Sequence, residues 1–259
     1  MAANEPGQPN PSAALTTHDL AVPASALAIG AHPDDVEFGC GATLAKWARH
    51  GCEVHHLVLT DGSKGTWDRT VDVDWLIRQR QDEQRAAATA LGGTGVVFLH
   101  HVDGELDAIR PVRAQVCSVI RRLRPTVVLG HDPWKRYRLH PDHRAAGQLC
   151  IDGIVAARDP FFHPEQLVEG VTPHRPEALL LFEPDEVNHH EAVDEQDVAA
   201  KLAALEAHTT QMETTHFYKV GDGDPLTGFR DGQRARLAAA GAAAGVPLAE
   251  AYHLIVDQL

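Results

Sequence analysis

Two histidine–carboxylate clusters stand far apart in the chain, His32-Pro33-Asp34-Asp35 and His140-Pro141-Asp142-His143. Neutral imidazole and carboxylate are the ligands of a catalytic divalent metal, three from the protein with one position left for water. His32, Asp35 and His143 fit that stoichiometry. Such an ion lowers the pKa of bound water from 15.7 towards about 7, which makes hydroxide available near neutrality. Asp34 is left beside Asp35. Neighbouring side chains in an extended or turning segment point in different directions, so one carboxylate can bind metal while the other takes the water's proton. His140, three residues before His143, falls on the same helical face and is placed to stabilise an oxyanion or donate to a leaving group. The tripeptide His-Pro-Asp also suits a plain helix start, with Pro in the first turn and Asp at a cap. Capping could account for either cluster alone; it accounts poorly for two at strand ends of one sheet.

The elements that must position these residues alternate. The apolar run Ala26 to Gly30 reads as a buried strand, Gly41 to His50 as a helix closed by Gly51, and Val54 to Leu59 as a second strand. Asp61 to Asp74 is a polar loop, Trp75 to Leu91 a helix ended by Gly92-Gly93, and Val96 to Leu99 a third strand. A helix over Ile109 to Leu123 and a β-branched strand over Thr126 to Leu129 follow, then a strand at Ala178 to Phe182. Helices are expected from about Gln196 to His208 and, more weakly patterned, over Gln233 to Ala244. This alternation predicts an α/β fold with a mostly parallel sheet and helices on both faces. In such sheets the crevice lies beyond the carboxyl ends of the strands. The first, second and fourth strands then bring both clusters to one rim.

Composition narrows the class. Of 259 residues, 44% are hydrophobic and 23% charged, ordinary globular usage. The net charge of −13, with no long Lys/Arg run, argues against a nucleic-acid backbone surface. Cys40, Cys52, Cys117 and Cys150 form no CxxC pair, and a reduced cytoplasmic setting is the simplest expectation. Residues 1–22 read as a flexible N-terminal tail without the basic start and apolar stretch of a signal peptide, and residues 23–259 as one domain. No apolar run reaches transmembrane length.

The stretch AHPDDVEFGCGATLAKWARHG resembles the opening of the LmbE-like, or PIG-L, family of zinc-dependent N-deacetylases. LTDGSKGTWD, RQRQDEQRAAATALG, FLHHVDGEL, RPTVVLGHDP through LHPDHRAAG, and AVDEQDVAAKLAALEAHTTQ resemble its later blocks in order, between about Ala26 and Gln211. The resemblance implies a Rossmann-like fold, hydrolysis of an acetamide on an N-acetylated amino sugar or sugar conjugate, and often a homo-oligomer. It implies His32, Asp35 and His143 as ligands of Zn2+, Asp34 as the base, and His140 at the tetrahedral intermediate or departing amine. Fe2+ or another divalent ion also suits these donors. Arg69 and Asp103 lie on loops that relatives use around sugar hydroxyls and are candidate substrate contacts. A tyrosine before the second motif assists catalysis in some relatives; here Tyr137 is one residue out of register, with Arg138 in its place. Ser63-Lys64 stands where relatives often carry an acidic residue.

Two other functions use the same features. A non-haem Fe(II) oxygenase shares the two-histidine, one-carboxylate ligation, but the parallel α/β architecture and spare Asp34 speak against it. A Rossmann-like nucleotide-binding module would use Gly39-Cys40-Gly41, but neither G-x-G-x-x-G nor a P-loop is present. Cys40 is expected to serve packing, Lys201 and His208 to anchor their helix or to close the site, and His189-His190 to lie in a solvated loop in preference to lining the pocket.

Overall fold

The computed structural model describes residues 17–168, 170–216 and 224–259. The chain runs β1 (Thr17–His18), β2 (Ser25–Gly30), α1 (Asp35–Arg49), β3 (Glu53–Thr60), α2 (Val73–Ala90), β4 (Gly95–His101) and α3 (Arg110–Leu123). It continues with β5 (Val127–His131), α4 (Pro141–Arg158), β6 (Ala178–Phe182), β7 (His189–Ala192), α5 (Glu195–Glu206), α6 (Pro225–Ala244) and β8 (Ala249–Ile255). The strands form one sheet in the order β1-β7-β8-β6-β5-β2-β3-β4. All pairings are parallel except those of β8 with β6 and β7. This is the expected α/β class, with an antiparallel strand that sequence periodicity does not reveal.

Alternation along β2 explains the layering. Leu27 and Ile29 face a core shared with α3 and α4, whereas Ala26 and Ala28 face one shared with α1, α2 and α5. Apolar side chains on both faces of a strand are what a doubly covered parallel sheet requires. From β2 the chain winds to β3 and β4 on one side, then crosses to β5 and β6 on the other. The order therefore reverses between β2 and β5, and a crevice must open beyond their carboxyl ends.

Three expectations need correction. Thr17–His18 belongs to the sheet, pairing with His189 and His190, so the expected tail is shorter; its residues 1–16 lie outside the described residues. His189 and His190 are strand residues and buried, with His189 bonded to Glu191, so they form no solvated loop. The helix expected from Gln233 already starts at Pro225, with Asp224 capping Thr227 N.

Helix α1 is broken at Cys40, whose φ of −149° and ψ of 17° are not helical. The amides freed there, Ala42 N and Thr43 N, donate to the Glu250 carboxylate at 3.2 and 2.8 Å. Lys201 Nζ in turn donates to Glu250 at 2.6 Å and to Phe38 O at 2.8 Å. Lys201 thus anchors the helix that begins at the predicted ligand Asp35. Gly39 sits in this break, where a Cβ would lie 2.5 Å from the buried Phe182 ring. Gly39→Ala is expected to destabilise the fold by about 1–3 kcal/mol through overpacking, read as a lower midpoint in urea unfolding.

Candidate active site

The segment after β2 turns sharply. Asp34, at the start of α1, has φ 107° and ψ −23°, a strained conformation for a residue with a Cβ. Buried partners over-determine it. Asp34 N donates to Gln84 Oε1 at 3.0 Å, and Arg80 Nη2 donates to Pro33 O at 2.7 Å. Gln84 is itself fixed, donating through Nε2 to Glu37 Oε1 at 2.6 Å and lying 3.1 Å from His56 Nδ1. His208 closes the network 3.4 Å from Glu37 Oε2. This turn sends Asp34 and Asp35 in different directions from one strand end.

Beyond β5, Pro141 opens α4 and His140 stands at its N-cap. Gly147 lets α4 approach the end of β5 closely, since a Cβ there would meet His131 O at 2.6 Å. His143 consequently reaches the residues after β2. His32 Nδ1 lies 3.3 Å from Asp35 Oδ2 and 3.2 Å from His143 Nε2, and His143 Nε2 lies 3.2 Å from Asp35 Oδ1. Tetrahedral metal–ligand bonds of 2.0–2.2 Å put donor atoms about 3.3–3.6 Å apart, close to the 3.2 Å that separates His143 Nε2 from His32 Nδ1 and from Asp35 Oδ1, while Asp35 turns its other oxygen to His32. The far nitrogen of His32 is committed. Nε2 lies 3.0 Å from Asp142 Oδ2 and 3.2 Å from Asp103 Oδ1, the outward carboxylate contact typical of a metal-binding histidine. Nδ1 is the nitrogen turned toward Asp35 and His143.

The electrostatics favour a cation too. Burial works against a charged His32 ring, yet Asp103, Asp142 and Asp35 outweigh it and raise its pKa well above the ordinary imidazole value. Burial likewise opposes ionisation of Asp35, but His143 and His131 hold it well below the usual carboxylate range. Asp34 differs. Burial pushes it up, Arg80 at 3.8 Å pulls it down and Asp35 pushes it up, for a net pKa of about 6. A carboxyl group so poised can take and return a proton near neutrality.

A cavity of about 490 Å³ opens over these groups. His32, Asp34, Asp35, Asp103, His140 and His143 all line it. The His140 ring centroid lies 4.6 Å from that of His32 and 4.8 Å from that of His143. Burial, then the two neighbouring histidines, lower its pKa. Arg69 is exposed and not among the lining residues. Two arginines line the cavity, Arg236 and Arg80, the latter buried on α2 and donating to Gly62 O at 2.8 Å as well as to Pro33 O. Asp103 is turned inward to His32 and accepts from Lys64 N at 3.0 Å. Tyr137 is 79% exposed and points away, whereas Arg138 is buried.

Sequence reasoning missed Arg80, His131, Arg138 and Asp142 as parts of the site. Arg80 and Gln84 had a signal: they fall on the buried α2 face with Leu76 and Ala87, at helical spacing. Cys40 is buried, and its thiol pKa is raised, first by burial, so it is not a poised nucleophile.

A comparison with protein families matches residues 27–154 to PIG-L, described as GlcNAc-PI de-N-acetylase. The diacetylchitobiose deacetylase of Thermococcus kodakarensis is 39% identical over 187 residues, covering 72% of this chain and 69% of the relative. A 1D-myo-inositol 2-acetamido-2-deoxy-alpha-D-glucopyranoside deacetylase of Streptomyces scabiei is 28% identical, covering 74% and 77%. Among solved structures, the N,N'-diacetylchitobiose deacetylase from Pyrococcus horikoshii, complexed with an inhibitor, superposes with a TM-score of 0.81. Its sequence is 28% identical, with 90% of this chain and 84% of that one covered. A 4-carboxy-2-hydroxymuconate hydratase of Pseudomonas putida, 21% identical with a TM-score of 0.70, shares the fold alone. The fold therefore admits other reactions, and function has to be argued from the site. With the fold, the paired clusters in one cavity and the Thermococcus deacetylase matched over more than two thirds of both sequences, the chain belongs to the PIG-L (LmbE-like) family.

Proposed function

We propose that this chain is a metal-dependent hydrolase that removes the acetyl group from an N-acetylated amino sugar or sugar conjugate. One observation carries the reading: His32 Nδ1, the Asp35 carboxylate and His143 Nε2 lie pairwise 3.2–3.3 Å apart and share a cavity with the spare carboxylate of Asp34. His32, Asp35 and His143 would hold the ion, Zn2+ or another divalent metal of similar ligand preference. When bound, it supplies Lewis acidity and lowers the pKa of water towards about 7.

The chain's own groups do the rest. Asp34, ionised, accepts the proton of the attacking water as the new C–O bond forms. His140, held beside His32 and His143, donates an N–H to the developing oxyanion. Asp34, now carrying the proton, returns it to the nitrogen as the C–N bond breaks, leaving acetate and a free amine. In the metal-free protein burial raises the pKa of Asp34 to about 6, a higher proton affinity than an ordinary aspartate has. Arg80 holds the turn that aims it. The cavity is of a size that receives small ligands, and Phe38 and Phe182 give it apolar wall. The relatives named above, deacetylases of diacetylchitobiose and of an acetamido-glucopyranosyl inositol, support the substrate class. Among the described residues no helix is long and apolar enough to cross a membrane.

The test is an amine-release and acetate-release assay over N-acetylated monosaccharides, chitooligosaccharides and glycosyl conjugates. Stoichiometric acetate and amine from at least one class supports the reading; none from any of them overturns it. In the same assay His140→Ala is expected to lower kcat by about 10²–10³-fold, the usual cost of one oxyanion donor, with KM little changed. A rise in KM at unchanged kcat would make His140 a binding group instead.

A further inference from the structure

His131 ends β5 with its ring buried between two others. It stacks on His143 at 4.5 Å between centroids and 13° between planes, and meets Phe182 edge-on at 4.6 Å. Its Nε2 lies 3.2 Å from Asp35 Oδ2, and its Nδ1 lies 3.0 Å from Arg138 Nη1. By proximity alone His131 could be a metal ligand, since it clusters with Asp35 and His143.

Arg138 decides otherwise. A guanidinium only donates, so His131 Nδ1 must accept, and the single ring proton of a neutral imidazole must sit on Nε2. A protonated Nε2 has no lone pair for a metal. The nitrogen that carries this proton lies 3.2 Å from Asp35 Oδ2. Burying a guanidinium is costly without partners, and Arg138 is buried with His131 Nδ1 and, at 3.0 Å, Glu183 Oε2 facing Nη1, and Glu183 O 3.5 Å from Nη2. Asp35 Oδ2 thus accepts from His32 N at 2.7 Å and has His131 Nε2 3.2 Å away on another side.

We propose that Arg138 and His131 are a positioning pair: Arg138 fixes the His131 tautomer, and His131 holds the carboxylate of Asp35 in its metal-binding orientation. The inference rests on the metal-dependent reading above. Outer partners of this kind commonly contribute about 10–100-fold to metal affinity. His131→Leu removes the N–H, whereas His131→Gln places an amide N–H where Nε2 was.

The experiment is a Zn2+ competition titration against a chromophoric chelator, on metal-free protein checked for folding by circular dichroism. His131→Leu is expected to weaken Zn2+ binding by about 10–100-fold, and His131→Gln to recover most of the loss. Unchanged affinity in a folded His131→Leu variant overturns the positioning role. Failure of the unaltered protein to bind Zn2+ would instead overturn the metal reading itself. Nitrogen-15 NMR of the unaltered metal-free protein reads the tautomer without any substitution. An Nε2–H neutral ring at His131 supports the assignment, and an Nδ1–H ring overturns it. In Arg138→Met the Nε2–H form is expected to lose its dominance; a tautomer unchanged in that variant removes Arg138 from the pair.

Discussion

Asp34→Asn should lower kcat by about 10²–10⁴-fold, the usual contribution of a positioned general base, while leaving the metal bound. The two effects separate because Asp34 and Asp35 leave the strained turn in different directions. Asp35 faces His32 and His143, whereas the closest charged partner of Asp34 is Arg80 at 3.8 Å. Asparagine preserves the shape and the backbone bond from Asp34 N to Gln84. It cannot take a proton. The pH profile should report the same group. Asp34 works as base only when ionised, and burial, partly offset by Arg80, puts its pKa at about 6 without metal. A bound dication adds positive charge and moves it down, so kcat/KM should decline with falling pH at or below about 6. The Asn variant should lack that acid limb. A variant with full turnover, or one that has lost its metal, would remove Asp34 from the role of base.

His143→Ala should abolish both stoichiometric metal binding and turnover. His143 supplies one of the three donors and touches both of the others, His32 Nδ1 and Asp35 Oδ1, at 3.2 Å. Its loss leaves two donors for an ion that needs three from the protein. It also leaves Asp35 Oδ1 without this partner. Metal analysis and amine release on the same sample check the prediction. Retention of one equivalent of metal with near-normal turnover would show that a different set of residues holds the ion.

How much of this could be read from the sequence follows from how local each feature is. His32, Asp34 and Asp35 are adjacent, and a strand before them and a helix after them fix where they go. The meeting with His140 and His143 needed one further step, the alternation of elements that puts the ends of β2 and β5 on one rim. Arg69 and Arg80 show where motif reading falters. Both lie in polar stretches after β3, but Arg80 sits on the buried α2 face and reaches Pro33 O and Gly62 O, a contact that only helix phase reveals. His131 lies in the block RPTVVLGHDP and Arg138 in the register of the relatives' tyrosine, but neither position says that the two meet. Their pairing depends on how the loop from 132 to 140 folds back, and a single register step there separates buried Arg138 from exposed Tyr137. The antiparallel strand β8 was equally hidden, although its Glu250 binds the broken turn of α1. Residues that work through long-range partners leave little trace in local periodicity.

The central claim is that a metal held by His32, Asp35 and His143 is needed to cleave the amide. The direct measurement is acetate and amine release from an N-acetylated sugar conjugate that the native protein cleaves. It is made before chelation, after exhaustive chelation and after return of one equivalent of Zn2+. The expected result is full loss on chelation and recovery on reloading, with no recovery in His143→Ala. Turnover undiminished in the metal-free protein would contradict metal-dependent hydrolysis.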